Sequence, residues 1–286
     1  MTKRTITVAA IQTSFGPDMT ANIAKTEASI REAAKLGAQV ILPPELFQGI
    51  YFCSRQSPKW FETAYPVTEH PCVLALKKLA KDLNVVIPIS FFEKDGPRYY
   101  NSVAVADAGG EILGLYRKSH IPDGPGYQEK YYFRPGDTGF KAWKTKHGTI
   151  GVGICWDQWY PECARALVLD GAEVLLYPTT IGSEPYDSAL DTHKLWQRAM
   201  QGHAVSNAVP IVAANRIGIE DNDGTTQKFY GHSFIADHCG ELVECFGEKD
   251  EGVLVHSFDL SEIEIYRADW GFIRDRRPDL YAKSIL

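Results

Sequence analysis

The chain carries one pattern twice, at a separation of about 130 to 145 residues. Residues 6–12 match residues 150–156 in character, and the corner Gly37-Ala38-Gln39-Val40-Ile41-Leu42-Pro43 matches Gly171-Ala172-Glu173-Val174-Leu175-Leu176-Tyr177-Pro178. Each pair brackets one helical stretch. Residues 85–89 then parallel 210–214, and the hairpin-like 106–112 parallels 236–242. A spacing this long is no solenoid period and implies two similar half-domains, each ordered β-α-β-α-β-β. Strands alternating with helices imply helices covering sheets, and a final hairpin makes each sheet mixed. Each half would leave one apolar sheet face uncovered. The expected fold is therefore α/β, a four-layer α-β-β-α sandwich of two mixed sheets with an internal pseudo-two-fold repeat. It forms one domain over 1–286, with half-repeats at about 5–120 and 148–258 and a C-terminal extension at 259–286. A site would lie where strand ends from the two halves meet.

Composition narrows the partners. With 286 residues, 44% of them hydrophobic, the chain can bury a large core. A net charge of −6 and no basic cluster beyond Arg274-Asp275-Arg276-Arg277 argue against a nucleic-acid binder and favour a small-molecule partner. No apolar run reaches transmembrane length, and Met1-Thr2-Lys3-Arg4 leads straight into a strand-like segment, so a cytoplasmic protein with no membrane partner is expected. The six cysteines are scattered, with no C-x-x-C pair and no zinc-like spacing; reduced thiols are expected, five of them for packing.

Cys155 is the sixth. The run Thr149-Ile150-Gly151-Val152-Gly153-Ile154-Cys155-Trp156-Asp157 delivers it from the end of an apolar strand into a polar, aromatic turn, and Tyr160-Pro161-Glu162 opens a helix with proline in its first turn. A strand-to-helix corner fixes a side chain outward on rigid supports. On its own a cysteine on an apolar strand is usually a small core residue, so a nucleophile needs a proton acceptor nearby. His120, His193 and His203 are available. Glu45 in Leu42-Pro43-Pro44-Glu45-Leu46-Phe47 is the better candidate, because prolines fix its backbone and burial among apolar neighbours would raise its pKa into the range of a general base. Lys118 in Tyr116-Arg117-Lys118-Ser119-His120-Ile121-Pro122 closes the first hairpin. Arg117 and Lys118 face opposite sides of a strand, so one can be solvated while the other faces the site. An ammonium there would favour the Cys155 thiolate and stabilise an oxyanion.

These three segments, with Gly153-Ile154-Cys155-Trp156-Asp157-Gln158-Trp159-Tyr160-Pro161-Glu162, resemble the Glu, Lys and Cys motifs of the nitrilase superfamily of carbon–nitrogen hydrolases over essentially the whole chain. The resemblance implies the same sandwich fold, a thiol amidohydrolase with no metal or cofactor, and self-association into a homo-oligomer, for which the aromatic and basic C-terminal segment is suited. It implies general-base work for Glu45, oxyanion binding by Lys118, attack by Cys155, and a second glutamate, Glu129, that orients Lys118 and the substrate amide. Two further stretches, Asp123-Gly124-Pro125-Gly126-Tyr127-Gln128-Glu129-Lys130 and Ile181-Gly182-Ser183-Glu184-Pro185, resemble members acting on carbamoylated amines. A substrate ammonium needs an acidic or aromatic end to its pocket. Glu184, Asp187 and Asp191 are available for it, Glu184 being preferred, and the loop 181–190 contains no Lys or Arg. Trp156, Tyr51 and Tyr127 are the expected walls for the methylene chain.

Overall fold

A computed structural model describes residues 3–187 and 189–281. In the first half, β1 (Thr5–Gln12), α1 (Met19–Lys35), β2 (Val40–Leu42), α2 (Pro71–Leu83), β3 (Ile87–Asp95), β4 (Arg98–Ala106) and β5 (Ile112–Arg117) follow in order. The second half contains β6 (Ala142–Thr145), β7 (Gly148–Val152), α3 (Pro161–Leu169), β8 (Val174–Pro178), α4 (His193–Asn207), β9 (Ile211–Ala214), the hairpin β10 (Ile217–Asn222) and β11 (Thr225–Tyr230), β12 (Phe234–Ala236) and β13 (Leu242–Cys245). The chain ends with β14 (Gly252–Asp259), α5 (Leu260–Trp270) and α6 (Pro278–Tyr281).

One sheet runs β13-β12-β9-β8-β7-β6. Its counterpart is built from β14-β1-β2 and β3-β4-β5, joined where Ile41 N donates to Val86 O at 2.9 Å and Val86 N to Gln39 O at 2.8 Å. The two layers thus share one strand order, parallel at the centre and antiparallel at the edges. Alternation within the strands explains the layering. Val8 and Ala10 point into the core between the sheets, with Ile150, Val152, Val174 and Leu176 opposite, whereas Ala9 and Ile11 meet Ile30, Leu76 and Leu79 under α1 and α2. Leu175 and Tyr177 likewise face Leu167, Trp196 and Met200 under α3 and α4. Strands covered on both faces read as unbroken apolar runs, as these do.

Two features differ from the sequence expectation. The first half has one strand more than the four of the β-α-β-α-β-β order, because β3 turns directly into β4 ahead of β5, and the second has further strands still, with β6 ahead of β7, the hairpin β10–β11 inserted before β12, and β12 and β13 as separate strands. In addition β14, grouped from the sequence with the second half, pairs antiparallel with β1 of the first over eight residues, from Thr5 opposite Asp259 to Gln12 opposite Gly252. Its alternating residues announce a strand but not its partner. Asp259 then caps α5 by accepting from Ser261 N and Glu262 N, and Leu260 and Ile263 close the end of the inter-sheet core. Among the described residues no helix is long and apolar enough to cross a membrane.

Candidate active site

Three strand ends converge. The first follows β7, where Cys155 opens a short 3-10 turn, Cys155–Trp159, with φ +39°. That left-handed conformation costs a non-glycine residue about 1 kcal/mol or more, so something must hold it. Asp157, fully buried, does so: its Oδ2 accepts from Ile154 N at 2.9 Å and from the Tyr116 hydroxyl at 2.7 Å. Its Oδ1 accepts from His120 N at 3.0 Å and lies 2.7 Å from His120 Nδ1. The cysteine turn is thereby tied to the segment that carries Lys118. Gly153 is required beside it, since a Cβ there would stand 2.7 Å from the Tyr177 ring and 3.0 Å from Cys163 Sγ.

The second end follows β2, where Pro43 and Pro44 lead to Glu45, also fully buried. Its Oε1 accepts from Asn101 Nδ2 at 2.7 Å and from Lys118 Nζ at 2.9 Å; its Oε2 has no protein partner among the described residues. The third end follows β5. Lys118 Nζ donates to Glu45 and to both carboxylate oxygens of Glu129, at 2.9 and 2.7 Å, so all three of its protons are engaged. Arg117, on the other face of the strand, pairs instead with Glu93, Asp95 and Asp137. The opposite-sides expectation for Arg117 and Lys118 therefore matches the geometry.

The buried charges set the protonation states. Burial pulls the Lys118 ammonium down, but Glu129 and Glu45 more than offset it, and its pKa ends well above the ordinary lysine value. Burial pushes Glu129 up to about 7, with Lys118 opposing and the Glu45 charge adding. The Cys155 thiol is also pushed up, first by burial and then by Glu45 and Glu129; Lys118 lowers it without reversing the direction. Lys118 thus favours the thiolate, as expected, but burial and the two carboxylates outweigh it, so the thiol rests protonated and needs a base. The histidines do not supply one, for their recorded bonds go to Asp157, Asp191 and the Gln158 carbonyl.

Cys155 and Glu129 lie on the wall of a cavity of about 390 Å³ with Thr180, Tyr127, Trp156 and Glu184. Asp123 also lines it, an acid that sequence reading passed over. Glu184 is half-buried, and burial raises its pKa while Tyr186 counteracts. Neither Asp187, which accepts from Ala189 N, nor Asp191, which pairs with His193, is on the wall. No Lys or Arg lines the cavity among the described residues. Tyr51, expected as a wall, is buried instead, with its ring 5.9 Å from that of Tyr127 and its hydroxyl donating to Glu129 Oε1 at 2.8 Å. The Tyr127 hydroxyl accepts from Gly182 N and Gln227 Nε2, both at 3.0 Å, and so braces the loop that carries Glu184. Asn101, Asp157 and Thr180 were not singled out from the sequence. Asn101 and Ser102 do interrupt an otherwise apolar strand, which is a readable sign of a buried polar contact.

A nucleophilic thiol, a carboxylate with a free oxygen and a fixed ammonium are the parts of an acyl-transfer site that forms a thiol-linked intermediate. The carbon–nitrogen hydrolase family matches residues 7–268, and this chain belongs to it as a hydrolase of carbon–nitrogen bonds. It is 58% identical over 280 residues to the N-carbamoylputrescine amidase of Oryza sativa subsp. japonica, covering 96% of this chain and 93% of that one. It is 52% identical over 280 residues to a citrullinase of Francisella tularensis subsp. tularensis, covering 98% of each. The crystal structure of a carbon–nitrogen hydrolase from Helicobacter pylori G27 has a TM-score of 0.93 and 36% identity, covering 99% of each chain.

Proposed function

We propose that the chain hydrolyses N-carbamoylputrescine to putrescine, carbon dioxide and ammonia, a step in making putrescine from agmatine. The observation that carries this reading is a cavity with Cys155 on its wall, the half-buried acid Glu184 on the same wall, and no lining Lys or Arg among the described residues. Glu45 Oε2 takes the Cys155 proton, and the thiolate attacks the carbamoyl carbon. Once Glu45 is protonated its hold on Lys118 weakens, and the ammonium proton that faced Glu45 Oε1 turns to the oxyanion, which a backbone N–H near Trp156 also holds. Glu45 returns the proton to the departing amine, and putrescine leaves. Water, deprotonated by the same carboxylate, attacks the S-carbamoyl group; the thiol leaves, and carbamate breaks down to carbon dioxide and ammonia. Glu129 keeps Lys118 charged and in place. Glu184 receives the distal ammonium, and Tyr127 and Trp156 flank the methylene chain. The same reading makes the protein a cytoplasmic homo-oligomer.

Citrulline is the specific competitor, because of the likeness to the citrullinase. It differs from N-carbamoylputrescine by one carboxylate, which needs a cationic partner that the described residues of the cavity wall do not offer. A panel scored by ammonia release is expected to give the higher kcat/KM with N-carbamoylputrescine than with citrulline or N-carbamoyl-β-alanine. A preference for either amino acid would overturn the amine reading. Glu184→Gln is expected to raise KM for N-carbamoylputrescine roughly 10- to 100-fold, as for loss of a charge-assisted contact, with kcat nearly unchanged.

A further inference from the structure

The segment 45–51 carries Glu45 at one end and Tyr51, the hydrogen-bond partner of Glu129, at the other. Its second residue, Leu46, has φ +47°, again the left-handed region that a branched side chain enters only when held. The holding groups come from the other half of the molecule. Arg216, between β9 and β10, is fully buried, and its Nη2 donates to the carbonyls of Glu45 at 2.8 Å and Leu46 at 3.0 Å. Its Nη1 donates to the Gly49 carbonyl at 3.0 Å and to Glu220 Oε1 at 2.8 Å. Glu220, on β10, accepts from Tyr51 N through Oε2 at 2.5 Å. The rings of Phe15 and Phe229 lie 5.1 and 5.5 Å from the guanidinium carbon. One buried ion pair therefore grips the segment at three carbonyls and one N–H, spanning from Glu45 to the support of Glu129.

We infer that Arg216 and Glu220 are positioning residues for the hydrolysis, fixing the Glu45 carboxylate against Cys155 through the backbone of 45–51. This rests on Glu45 being the base. An arginine is needed because only its planar fork can serve three carbonyls and a carboxylate at once; a lysine at this place keeps the charge but not the grip. Neither residue touches the substrate cavity. Their effect should fall on the rate of chemistry and not on substrate affinity, since a small misplacement of a reacting group lowers turnover steeply.

The test compares Arg216→Lys with the double variant Arg216→Met, Glu220→Leu, using N-carbamoylputrescine. Removing both charges together leaves no unpaired buried ion, so the double variant should fold even where Arg216→Met alone would not. Both are expected to lose roughly 10- to 100-fold in kcat with KM within about twofold of the parent protein. In the double variant that loss should persist although its melting temperature recovers toward the parent value. A pair that served stability alone would regain kcat together with melting temperature, and that result would overturn the positioning role. So would a rise in KM at unchanged kcat. Glu45→Gln is measured alongside: if it is inactive while the two pair variants keep full kcat, positioning fails and the base assignment stands. If Glu45→Gln itself turns over normally, both are overturned.

Discussion

Glu45→Gln is expected to lower kcat by about 10² to 10⁴-fold while leaving the protein folded and KM little changed. The amide is nearly isosteric, and its oxygen can still accept from Asn101 and Lys118. What it cannot do is take a proton at the position of Oε2, the oxygen that has no protein partner among the described residues. The sign of the accompanying thiol shift makes this informative. Burial and the Glu45 charge both push the Cys155 thiol up, so removing the charge moves its pKa down, toward more thiolate. A mechanism limited only by thiolate population would then speed up. The proton-transfer mechanism slows down, because the same carboxylate must also protonate the departing amine and deprotonate water. Steady-state kinetics and iodoacetamide alkylation of the variant, run together, separate the two.

Lys118→Met should cost both activity and stability. Its ammonium is fully buried between Glu45 and Glu129, and taking one member from such a cluster leaves charge unpaired, with a typical cost of about 3–5 kcal/mol. That corresponds to a fall in melting temperature of roughly 10 °C. The cost should depend on pH. Glu129 is pushed from near 4.5 to about 7 in the folded protein even with Lys118 opposing. A carboxyl whose folded pKa is raised binds more protons folded than unfolded, so its contribution falls as pH rises through that interval. Without the ammonium the carboxyl is pushed up further, and the deficit relative to the parent protein should be small near pH 5 and large near pH 8. Thermal unfolding at the two pH values checks it; an equal deficit at both would mean that the buried carboxyl does not carry the effect.

Much of this was legible in the chain. The repeated strand and corner patterns led to two covered sheets packed face to face, and the ends of β2, β5 and β7 identified Glu45, Lys118 and Cys155 as neighbours. Local patterns encode local structure, and these residues sit where local patterns end. Partners that fold in from far away were not legible. Nothing near 252–259 says that β14 will pair with β1, and nothing near Arg216 says that it will grip carbonyls about 170 residues earlier. Tyr51 was misplaced for the same reason: an aromatic beside a site can line it or brace it, and only the Glu129 contact decides. The Lys118 effect on Cys155 depended on weighing burial against one favourable charge, and burial requires the fold.

In the proposed mechanism Cys155 bears the S-carbamoyl group during turnover, and ammonia release by Cys155→Ala tests this most directly. The variant, shown to be folded by circular dichroism and assayed with saturating N-carbamoylputrescine beside the parent protein, should release no ammonia above the uncatalysed rate. Turnover near the parent rate would contradict it.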